Sequence, residues 1–370
     1  MPFGGKYRII DFTLSNCLDS GLRRILVLTQ YKSHSLQKHL RDGWSIFNSS
    51  LGEYITPVPP QMRTGERWYA GTADAVYQNL YLIERSDAEH VLILSGDHVY
   101  RMDYAAMLES HREREAAVTV ACMRVPLAEA SSFGVVGIDR SGQILGFEEK
   151  PASPRPDPSD PAKALVSMGI YVFSADLLVR RLSDDADFGR DLLPKLIREA
   201  PVFAYLFGGA SGRVTADRYW RDVGTIDAYF EANQDLIQPL PAMDLYQPDW
   251  KIRTYESQNP PARTTRGRSG HEVECVNSML CSGTIITGGK VGYSILSPNV
   301  RVEDGAEVGE SVLFEGVRVG AGARLRRAIV DKFVDIPPGE TIGLDAEKDR
   351  SRFTVSEKGI VVVPRMYQFA

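Results

Sequence analysis

Residues 90–100 read HVLILSGDHVY, and this stretch decides how the first half of the chain is interpreted. Its apolar residues run without alternation and lead into Gly96 and Asp97, a pattern that predicts a strand buried on both faces and ending in a loop. Open α/β sheets bind their ligands at the carboxyl ends of such strands. Asp97 is therefore a candidate ligand-binding residue, and the alternative is an aspartate that caps a neighbouring helix.

A second aspartate follows another strand-like run more than a hundred positions later. Residues 218–237 read RYWRDVGTIDAYFEANQDLI, with Asp222 just before Gly224 and Thr225. Thr225 is a suitable cap for the amphipathic helix that this stretch predicts, while Asp222 could simply close the turn. If Asp97 and Asp222 converge, their carboxylates form a site that suits Mg²⁺ and phosphate chemistry.

Strand-like and helix-like segments alternate between Arg24 and about Phe173. Such alternation predicts an α/β domain with right-handed crossovers and a mainly parallel sheet. We place this domain at residues 1–237. Residues 238–270 contain five prolines among polar residues, which is typical of a linker.

Beyond the linker the sequence repeats itself every 17 residues. Apolar residues recur in three registers, which are Ile285, Val302, Val319 and Ile336, then Val291, Val308, Leu325 and Ile342, then Ile295, Val312 and Ile329. Glycines keep the same step at Gly288, Gly305, Gly322 and Gly339. Sustained spacing of this kind, with a glycine at a corner, predicts a three-sided parallel β-helix.

We expect this coil to run from about Ser282 to Leu344 within a C-terminal domain at residues 271–370, with the in-phase apolar side chains pointing inward. The alternative is an antiparallel sheet with coincidental spacing. A coil of so few turns buries little surface by itself. One outer face should therefore pack against the catalytic domain or against another subunit.

Composition excludes several classes of protein. The chain has 370 residues, of which 43% are hydrophobic and 25% charged, and its net charge is −5. This charge argues against binding nucleic acid by general electrostatics, so we expect no nucleic-acid partner. No stretch is long enough to span a membrane, and the N-terminus has no signal-peptide pattern, so we expect a cytoplasmic protein without a membrane partner. The four cysteines lack the spacing of a metal site.

Six segments, taken in order, resemble the bacterial glucose-1-phosphate adenylyltransferases, also called ADP-glucose pyrophosphorylases. These segments are PFGGKYRIIDFTLSNCLDSGLRRILVLTQYKSHSLQKHL (2–40), WYAGTADAVYQNL (68–80), SGDHVY (95–100), FEEKPASP (147–154), SMGIYVF (167–173) and YWRDVGT (219–225). The similarity covers essentially the whole chain. It implies a Rossmann-like nucleotidyltransferase domain followed by a left-handed parallel β-helix.

The resemblance also implies an activity. Family members transfer the adenylyl group of ATP to glucose 1-phosphate, which yields ADP-glucose and pyrophosphate for glycogen synthesis. The attacking group is already a phosphate anion, so the reaction needs no Ser-His or Cys-His nucleophile, and the sequence suggests none. It needs positioning and neutralisation of phosphate charge instead.

Site residues follow from the resemblance position by position. The catalytic residues it implies are Asp97, Lys150 and Asp222, with Asp97 and Asp222 as ligands of Mg²⁺. The sugar-phosphate site it implies comprises Tyr69, Gly134, Glu149, Lys150 and Ser167. The nucleotide site it implies comprises Gln30, Trp68, Gly71 and Thr72. Arg8 matches a position near the family's effector site, although it could be an ordinary surface arginine. Small-molecule allosteric effectors and a homotetramer are implied in the same way.

The N-terminus departs from the family pattern. The family begins with a strand and a glycine-rich loop carrying Arg and Lys, whereas this sequence opens at Met1 and Pro2, where the family is already past that loop. We expect that the complete reading frame extends upstream, that Met1 stands where the family has an internal valine, and that the chain as written is inactive. Arg190, where many relatives have lysine, keeps the charge.

Three alternatives remain. One is a nucleotidyltransferase for another base or sugar. Another is a noncatalytic regulatory subunit, which the missing phosphate-binding loop favours and the retained Asp97, Lys150 and Asp222 oppose. The third is a hexapeptide-repeat acyltransferase, but such enzymes use a histidine on the coil and none follows His271.

Overall fold

The computed structural model describes residues 1–61, 68–183, 187–209, 212–214 and 218–369. The chain divides into two compact units. Unit 1 comprises Met1–Ser15, Gly96–Arg101 and Tyr219–Ala370, and unit 2 comprises Asn16–Ser95 and Met102–Arg218. Three separate parts of the predicted catalytic domain therefore pack with the C-terminal repeats.

Strands and helices before the repeats alternate as predicted. The strands are β1 (Pro2–Phe3), β2 (Tyr7–Arg8), β3 (Arg24–Leu28), β4 (Tyr54–Val58), β5 (His90–Ile93), β6 (His98–Tyr100), β7 (Val118–Pro126), β8 (Gly134–Ile138), β9 (Ile144–Glu149), β10 (Lys163–Ser174), β11 (Val202–Leu206) and β12 (Trp220–Asp222). The helices are α1 (Ile9–Asp19), α2 (His34–Trp44), α3 (Thr72–Tyr77), α4 (Leu80–Glu84), α5 (Tyr104–Glu113), α6 (Ala175–Arg181), α7 (Leu193–Leu196) and α8 (Ile226–Asp235), with a π-helical turn at Phe188–Leu192. Across the described part of the chain, no helix combines the length and apolar character needed to cross a bilayer.

The main sheet of unit 2 is mixed, which corrects the predicted mainly parallel arrangement. Its strand order is β11-β7-β10-β8-β9, with β5 also paired to β10. β10 runs antiparallel to β5, β7 and β8, while β11 and β7 pair in parallel. The chain reaches β10 through the β8–β9 hairpin, and a hairpin reverses the chain direction. β10 thus inserts between β5 and β7, an insertion that local apolar runs do not encode.

β5 also differs from the doubly buried strand predicted for residues 90–100. It ends at Ile93, and all four of its residues are half-buried. Among the described residues it pairs with β10 alone, so one of its edges has no strand beside it. The chain then starts a new strand, β6, at His98. Asp97 therefore lies immediately before β6 rather than at the tip of β5.

Side-chain hydrogen bonds mark the start of one helix and the division of another helical segment. Thr225 caps α8 as predicted, because its side-chain oxygen accepts a hydrogen bond from the Ala228 N–H at 3.1 Å. Residues 74–86, DAVYQNLYLIERS, have the pattern of a single helix, but the structure divides this region into α3 and α4 at Gln78 and Asn79. The Asn79 amide donates to the Ala75 carbonyl at 2.8 Å, a side-chain bond that competes with the helical ladder.

The C-terminal repeats form a three-sided solenoid of parallel sheets. Its first face contains β13 (Arg263–Thr265), β16 (Ile285–Thr287), β19 (Arg301–Val302), β22 (Arg318–Val319) and β25 (Asp335–Ile336). Its second face contains β14 (Glu274–Val276), β17 (Lys290–Gly292), β20 (Glu307–Gly309), β23 (Arg324–Arg326) and β26 (Thr341–Ile342). Its third face contains β15 (Met279–Leu280), β18 (Ile295–Leu296), β21 (Val312–Leu313), β24 (Ala328–Val330), β28 (Val361–Val363) and β27 (Thr354–Val355), and α9 (Ala346–Arg352) precedes β27. The coil thus begins at Arg263, earlier than predicted.

The predicted register is correct for the second face and needs one correction on the first. Val291, Val308, Leu325 and Ile342 are successive Cα partners and are buried. On the first face, however, Ile286 rather than Ile285 pairs with Val302 and points inward. The inward residues on either side of this corner, Ile286 and Val291, are five positions apart, whereas Val302 and Val308 at the next corner are six apart. A strict 17-residue count therefore selects the wrong neighbour.

The third apolar register points outward instead of inward. Ile295, Val312 and Ile329 are successive partners, as predicted, but the interior of the coil is filled by their neighbours Leu296, Leu313 and Val330. The outer three side chains are buried with apolar residues of unit 1, among them Phe3, Phe12, Tyr229 and Phe230. This confirms that one outer face packs against parts of the predicted catalytic domain.

Positive-φ residues form the corners of the solenoid. Gly288, Gly305, Gly322 and Gly339 have φ between 58° and 73°, a region that costs other residues energy. The other two rows of corners also have positive φ but use other residues, namely Asn277, Tyr293, Glu310 and Arg327 in one row and Gly283, Asn299, Gly316 and Phe333 in the other. Only the all-glycine row was visible as a repeat in the sequence.

We expect Val319→Asp to destabilise the protein by about 3–5 kcal/mol, because Val319 is fully buried inside the coil and an aspartate there has no partner. Arg318→Gln is the matched control, since Arg318 lies on the same strand with an exposed side chain. Equilibrium denaturation of both variants measures the difference. Equal stability of the two variants would contradict the register.

Candidate active site

Asp97 and Asp222 are brought together by a two-stranded ribbon in unit 1. β6 pairs antiparallel with β12, and Asp222 lies opposite His98. One step further, the Val223 N–H donates to the Asp97 carbonyl at 3.2 Å. The pairing therefore places two carboxylates from distant parts of the sequence at the same end of the ribbon.

Both carboxylates are accessible to solvent. The Asp97 side chain is 62% exposed, and Asp222 is exposed as well. Asp222 Oδ1 accepts a hydrogen bond from the Gly224 N–H at 2.8 Å, so the turn-closing role considered from sequence also occurs. Among the described residues no group of three or more His, Cys, Asp or Glu side chains forms a metal cluster. The pair fits Mg²⁺ nevertheless, because this ion is commonly held by one or two carboxylates and completed by substrate phosphates.

His98 is a residue of this site that the sequence analysis did not single out. Its ring is buried and packs edge-on against Trp220, with centroids 4.9 Å apart, while its Nε2 lies 3.6 Å from Asp97 Oδ1. Burial lowers the pKa of His98 below its ordinary value, and the carboxylates of Asp97 and Asp222 oppose that shift. In the sequence, the position of His98 directly after Asp97 could have indicated that it belongs to this site.

Glu149 lies at the end of β9 in unit 2, in a space that two glycines leave open. A Cβ on Gly134 would lie 3.0 Å from Glu149 Oε2, and a Cβ on Gly189 would lie 2.7 Å from the same atom. The same two Cβ positions would approach the Phe147 ring to 2.4 and 3.0 Å. Gly134, predicted as a site residue, thus acts by making room, and Gly189 does the same.

Charges of both signs surround Glu149. Burial raises the pKa of Glu149, the nearby Asp187 adds to this, and Lys150 and Arg190 oppose it. Lys150 is exposed and has a φ of 45°, a strained conformation for a residue with a side chain. Its N–H donates to the Phe133 carbonyl at 3.1 Å, which holds that conformation.

Ser167 lies at an irregularity of β10. The register of β10 against β7 shifts between Ser167 and Tyr171, and Gly169 within this bulge has a φ of 69°. The Ser167 hydroxyl accepts from the Gly169 N–H at 3.2 Å, and Ser167 is nearly buried. Burial also raises the pKa of the adjacent Tyr171. Bulges commonly redirect side chains next to active sites.

The predicted nucleotide residues form a separate group in unit 2. The Gln30 amide donates to the Tyr69 carbonyl at 3.0 Å, and the half-exposed Trp68 ring lies 5.6 Å from that of Tyr31. Gly71 occupies the N-cap of α3, so Thr72 is the first helical residue and not the cap. Tyr69 itself is buried, and its hydroxyl accepts from the Asn79 amide at 2.8 Å.

Arg8 is half-buried in unit 1, which differs from an ordinary surface arginine. Its N–H donates to Asp11 Oδ2 at 2.8 Å. Burial lowers the pKa of Arg8, and Asp11 and Glu315 oppose the shift. Glu315 also forms an ion pair with Lys332 at 2.8 Å, so Arg8 lies near charged residues of the solenoid.

Comparison with known proteins adds to this geometry. Residues 1–239 match the family described as nucleotidyl transferase, and residues 260–363 match the family described as GlmU-like, C-terminal hexapeptide. Proteins named glucose-1-phosphate adenylyltransferase 2 are 61% identical in Vibrio parahaemolyticus serotype O3:K6, 58% in Vibrio cholerae serotype O1 and 62% in Vibrio vulnificus. Each alignment covers 100% of this chain and 93% of the relative. The chain belongs to the glucose-1-phosphate adenylyltransferase family.

This membership confirms the resemblance drawn from the six sequence segments. It also confirms the fold class, a nucleotidyltransferase domain followed by a left-handed β-helix of hexapeptide type. The match to the hexapeptide family begins at residue 260, close to Arg263 where the first strand of the coil begins.

We expect Glu149→Gln to stabilise the protein at about pH 8 and to have no effect on stability below about pH 4. Folding raises the pKa of Glu149 above its ordinary value, so the ionised carboxylate is disfavoured in the folded state. Below the ordinary pKa, Glu149 is protonated in both the folded and the unfolded state and the penalty vanishes. Thermal unfolding across this pH range measures the effect. Glu148→Gln, at an exposed neighbour, is the control, and a pH-independent gain for Glu149→Gln would contradict the assignment.

Proposed function

We propose that the protein transfers the adenylyl group of ATP to glucose 1-phosphate, forming ADP-glucose and pyrophosphate for α-glucan (glycogen) synthesis. A phosphate oxygen of glucose 1-phosphate bonds to the α-phosphorus of ATP, the bond from that phosphorus to the β-phosphate oxygen breaks, and pyrophosphate leaves with the electron pair. The observation that carries the proposal is the β6–β12 pairing, which brings Asp97 and Asp222 to the same end of one ribbon, in a chain that matches enzymes of this name over its whole length.

Asp97 and Asp222 would hold Mg²⁺ through exposed carboxylate oxygens. When bound, the ion supplies positive charge for the reacting phosphates. The two aspartates contribute negative charge, oxygen donors and a fixed position at the end of the ribbon. Because both are solvent-exposed, neither needs to be desolvated before a cation binds.

Glu149 and Lys150 would bind the sugar phosphate. The Lys150 ammonium is exposed and forms no ion pair within the described residues, so it is available for the phosphate. The Glu149 carboxylate would accept hydrogen bonds from sugar hydroxyls, which favour the ionised form against the effect of burial. Gly134, Ser167 and Tyr69 would complete the contacts to this substrate.

Gln30, Trp68, Gly71 and Thr72 would contact ATP. Trp68 offers a half-exposed aromatic surface, and the N–H groups at the start of α3 lie beside Gly71, which carries no side chain. We further propose that Arg8 contributes to an effector site, that the enzyme is a cytoplasmic homotetramer regulated by small molecules, and that it has no nucleic-acid or membrane partner.

The proposed substrates are tested by incubating the protein, expressed from its complete reading frame, with glucose 1-phosphate and each of ATP, UTP, GTP, CTP and dTTP, and then ATP with other sugar 1-phosphates. ADP-glucose should be the main product. A clear preference for another nucleotide or sugar would contradict the proposed substrates but would still support nucleotidyl transfer as the reaction.

Asp97→Asn should lower kcat by about a hundredfold or more while the fold is retained, because the lost carboxylate acts on the transition state. Asp176→Asn is the control, since Asp176 is an exposed aspartate paired with Arg180 on α6. Steady-state kinetics with circular dichroism measure both. Unchanged turnover in folded Asp97→Asn would remove Asp97 from the mechanism.

Lys150→Ala should raise KM for glucose 1-phosphate by about tenfold to a hundredfold and change KM for ATP much less, because a charge-assisted contact to one substrate is lost. Lys163→Ala, at an exposed lysine paired with Asp160, should change neither value. Equal effects on both substrates would argue against the assignment.

A further inference from the structure

The strand that carries Asp222 has few backbone neighbours. β12 has three residues and, among the described residues, pairs only with β6. A two-stranded ribbon is only marginally stable unless other parts of the protein pack against it. The position of Asp222 therefore depends on what the side chains of β12 contact.

Arg221 connects β12 to α8. Because side chains alternate along a strand, Arg221 points away from the face that carries Trp220 and Asp222. Its guanidinium lies 3.1 Å from Asp235 Oδ2 and 3.4 Å from Glu231 Oε2. One arginine thus holds two acidic side chains that are one helical turn apart on α8.

The same helix is also held by the loop that closes the solenoid, residues 356–360, which leads into β28. Lys358 of this loop forms an ion pair with Glu231, and the Ser356 hydroxyl donates to the Asp227 carboxylate. Glu231 is therefore shared between Arg221 on one side and Lys358 on the other.

Arg327 fixes the closing loop itself. Arg327 occupies a corner of the solenoid, and its guanidinium donates to the Lys358 carbonyl at 3.1 Å. The same guanidinium lies over the Phe230 ring of α8, 5.8 Å from its centroid. Arg327 therefore contacts the closing loop and α8 at the same time.

These ion pairs are too exposed to matter much for overall stability. The side chains of Arg221, Glu231 and Lys358 are 39%, 36% and 61% exposed, and such pairs contribute little to the free energy of unfolding. Their directional contacts nevertheless add to the apolar packing of Val223 in orienting β12. Side chains that orient a metal-binding carboxylate affect metal affinity much more than they affect folding.

We propose that Arg221 is a positioning residue for Asp222, and that Glu231 makes the position of Asp222 depend on the closing loop of the solenoid. The inference rests on the divalent-cation site proposed above. It connects the end of the β-helix to that site through Lys358, Glu231 and Arg221, all of which belong to unit 1.

The test measures Mn²⁺ binding by electron paramagnetic resonance, which requires no turnover, together with KM and kcat. Arg221→Gln should weaken Mn²⁺ binding about tenfold. Lys358→Gln should weaken it about threefold. The double variant should bind no more weakly than Arg221→Gln alone, since both act through Glu231. Lys358→Arg should restore binding, and KM for glucose 1-phosphate should stay nearly constant.

Lys290→Gln is the matched control, because Lys290 forms a comparable exposed pair with Glu274 on another part of the solenoid, at 2.9 Å. It should leave Mn²⁺ binding unchanged. Additive effects of Arg221→Gln and Lys358→Gln, or an equal effect of Lys290→Gln, would overturn the proposed connection.

The experiment distinguishes an error in the proposed metal site from an error in the proposed connection between Lys358 and Asp222. If Asp97→Asn binds Mn²⁺ like the unsubstituted protein, the metal site is wrong and the inference falls with it. If Asp97→Asn loses binding but Arg221→Gln and Lys358→Gln retain it, the site stands and Arg221 is not its positioning residue. Should Arg221→Gln fail to fold, Lys358→Gln still decides, because its exposed side chain can be shortened without leaving a cavity.

Discussion

Three side chains on the outside of the solenoid, Ile295, Val312 and Ile329, are buried against apolar residues from the start of the chain and from α8. Burying one such side chain contributes about 1.5–3 kcal/mol, far more than any exposed ion pair in this region. The same cluster includes Val99 of β6 and Val223 next to β12. The ribbon that brings Asp97 and Asp222 to the same end is thus anchored on the β-helix, and the β-helix directly supports this part of the candidate site.

The carboxylates among the predicted site residues lie in two electrostatic environments, one in each unit. Asp97 and Asp222 remain in solvent, where a charged group costs little and a hard cation can reach it. Glu149 is half-buried, and burial raises its pKa, in a space that exists because Gly134 and Gly189 lack side chains. A carboxylate kept in this way is costly for stability and suited to accepting hydrogen bonds from a polar ligand.

Sequence patterns were reliable where a residue's environment depends on its near neighbours. Thr225 was predicted as the cap of α8 and is one, and the glycine row of the solenoid has the expected positive φ. They were less reliable where the environment depends on a distant partner. β5 was expected to be buried on both faces, but all four of its residues are half-buried. β10 was not expected to run antiparallel between β5 and β7.

The sequence by itself determined the family and the two kinds of domain, and it predicted the residues of the site, because motifs and repeat periods are local properties of the chain. Only the tertiary structure decided which side chains of the third register fill the coil interior and which pack on its outer face. Ile295 and Leu296 are adjacent and equally apolar, yet one faces α8 and the other the coil interior. It also decided that His98 lies beside Asp97 and that Gly189 leaves space for Glu149. A sequence period shows at which interval apolar side chains recur. Whether such a side chain points into the coil or outward depends on the residues that pack against it.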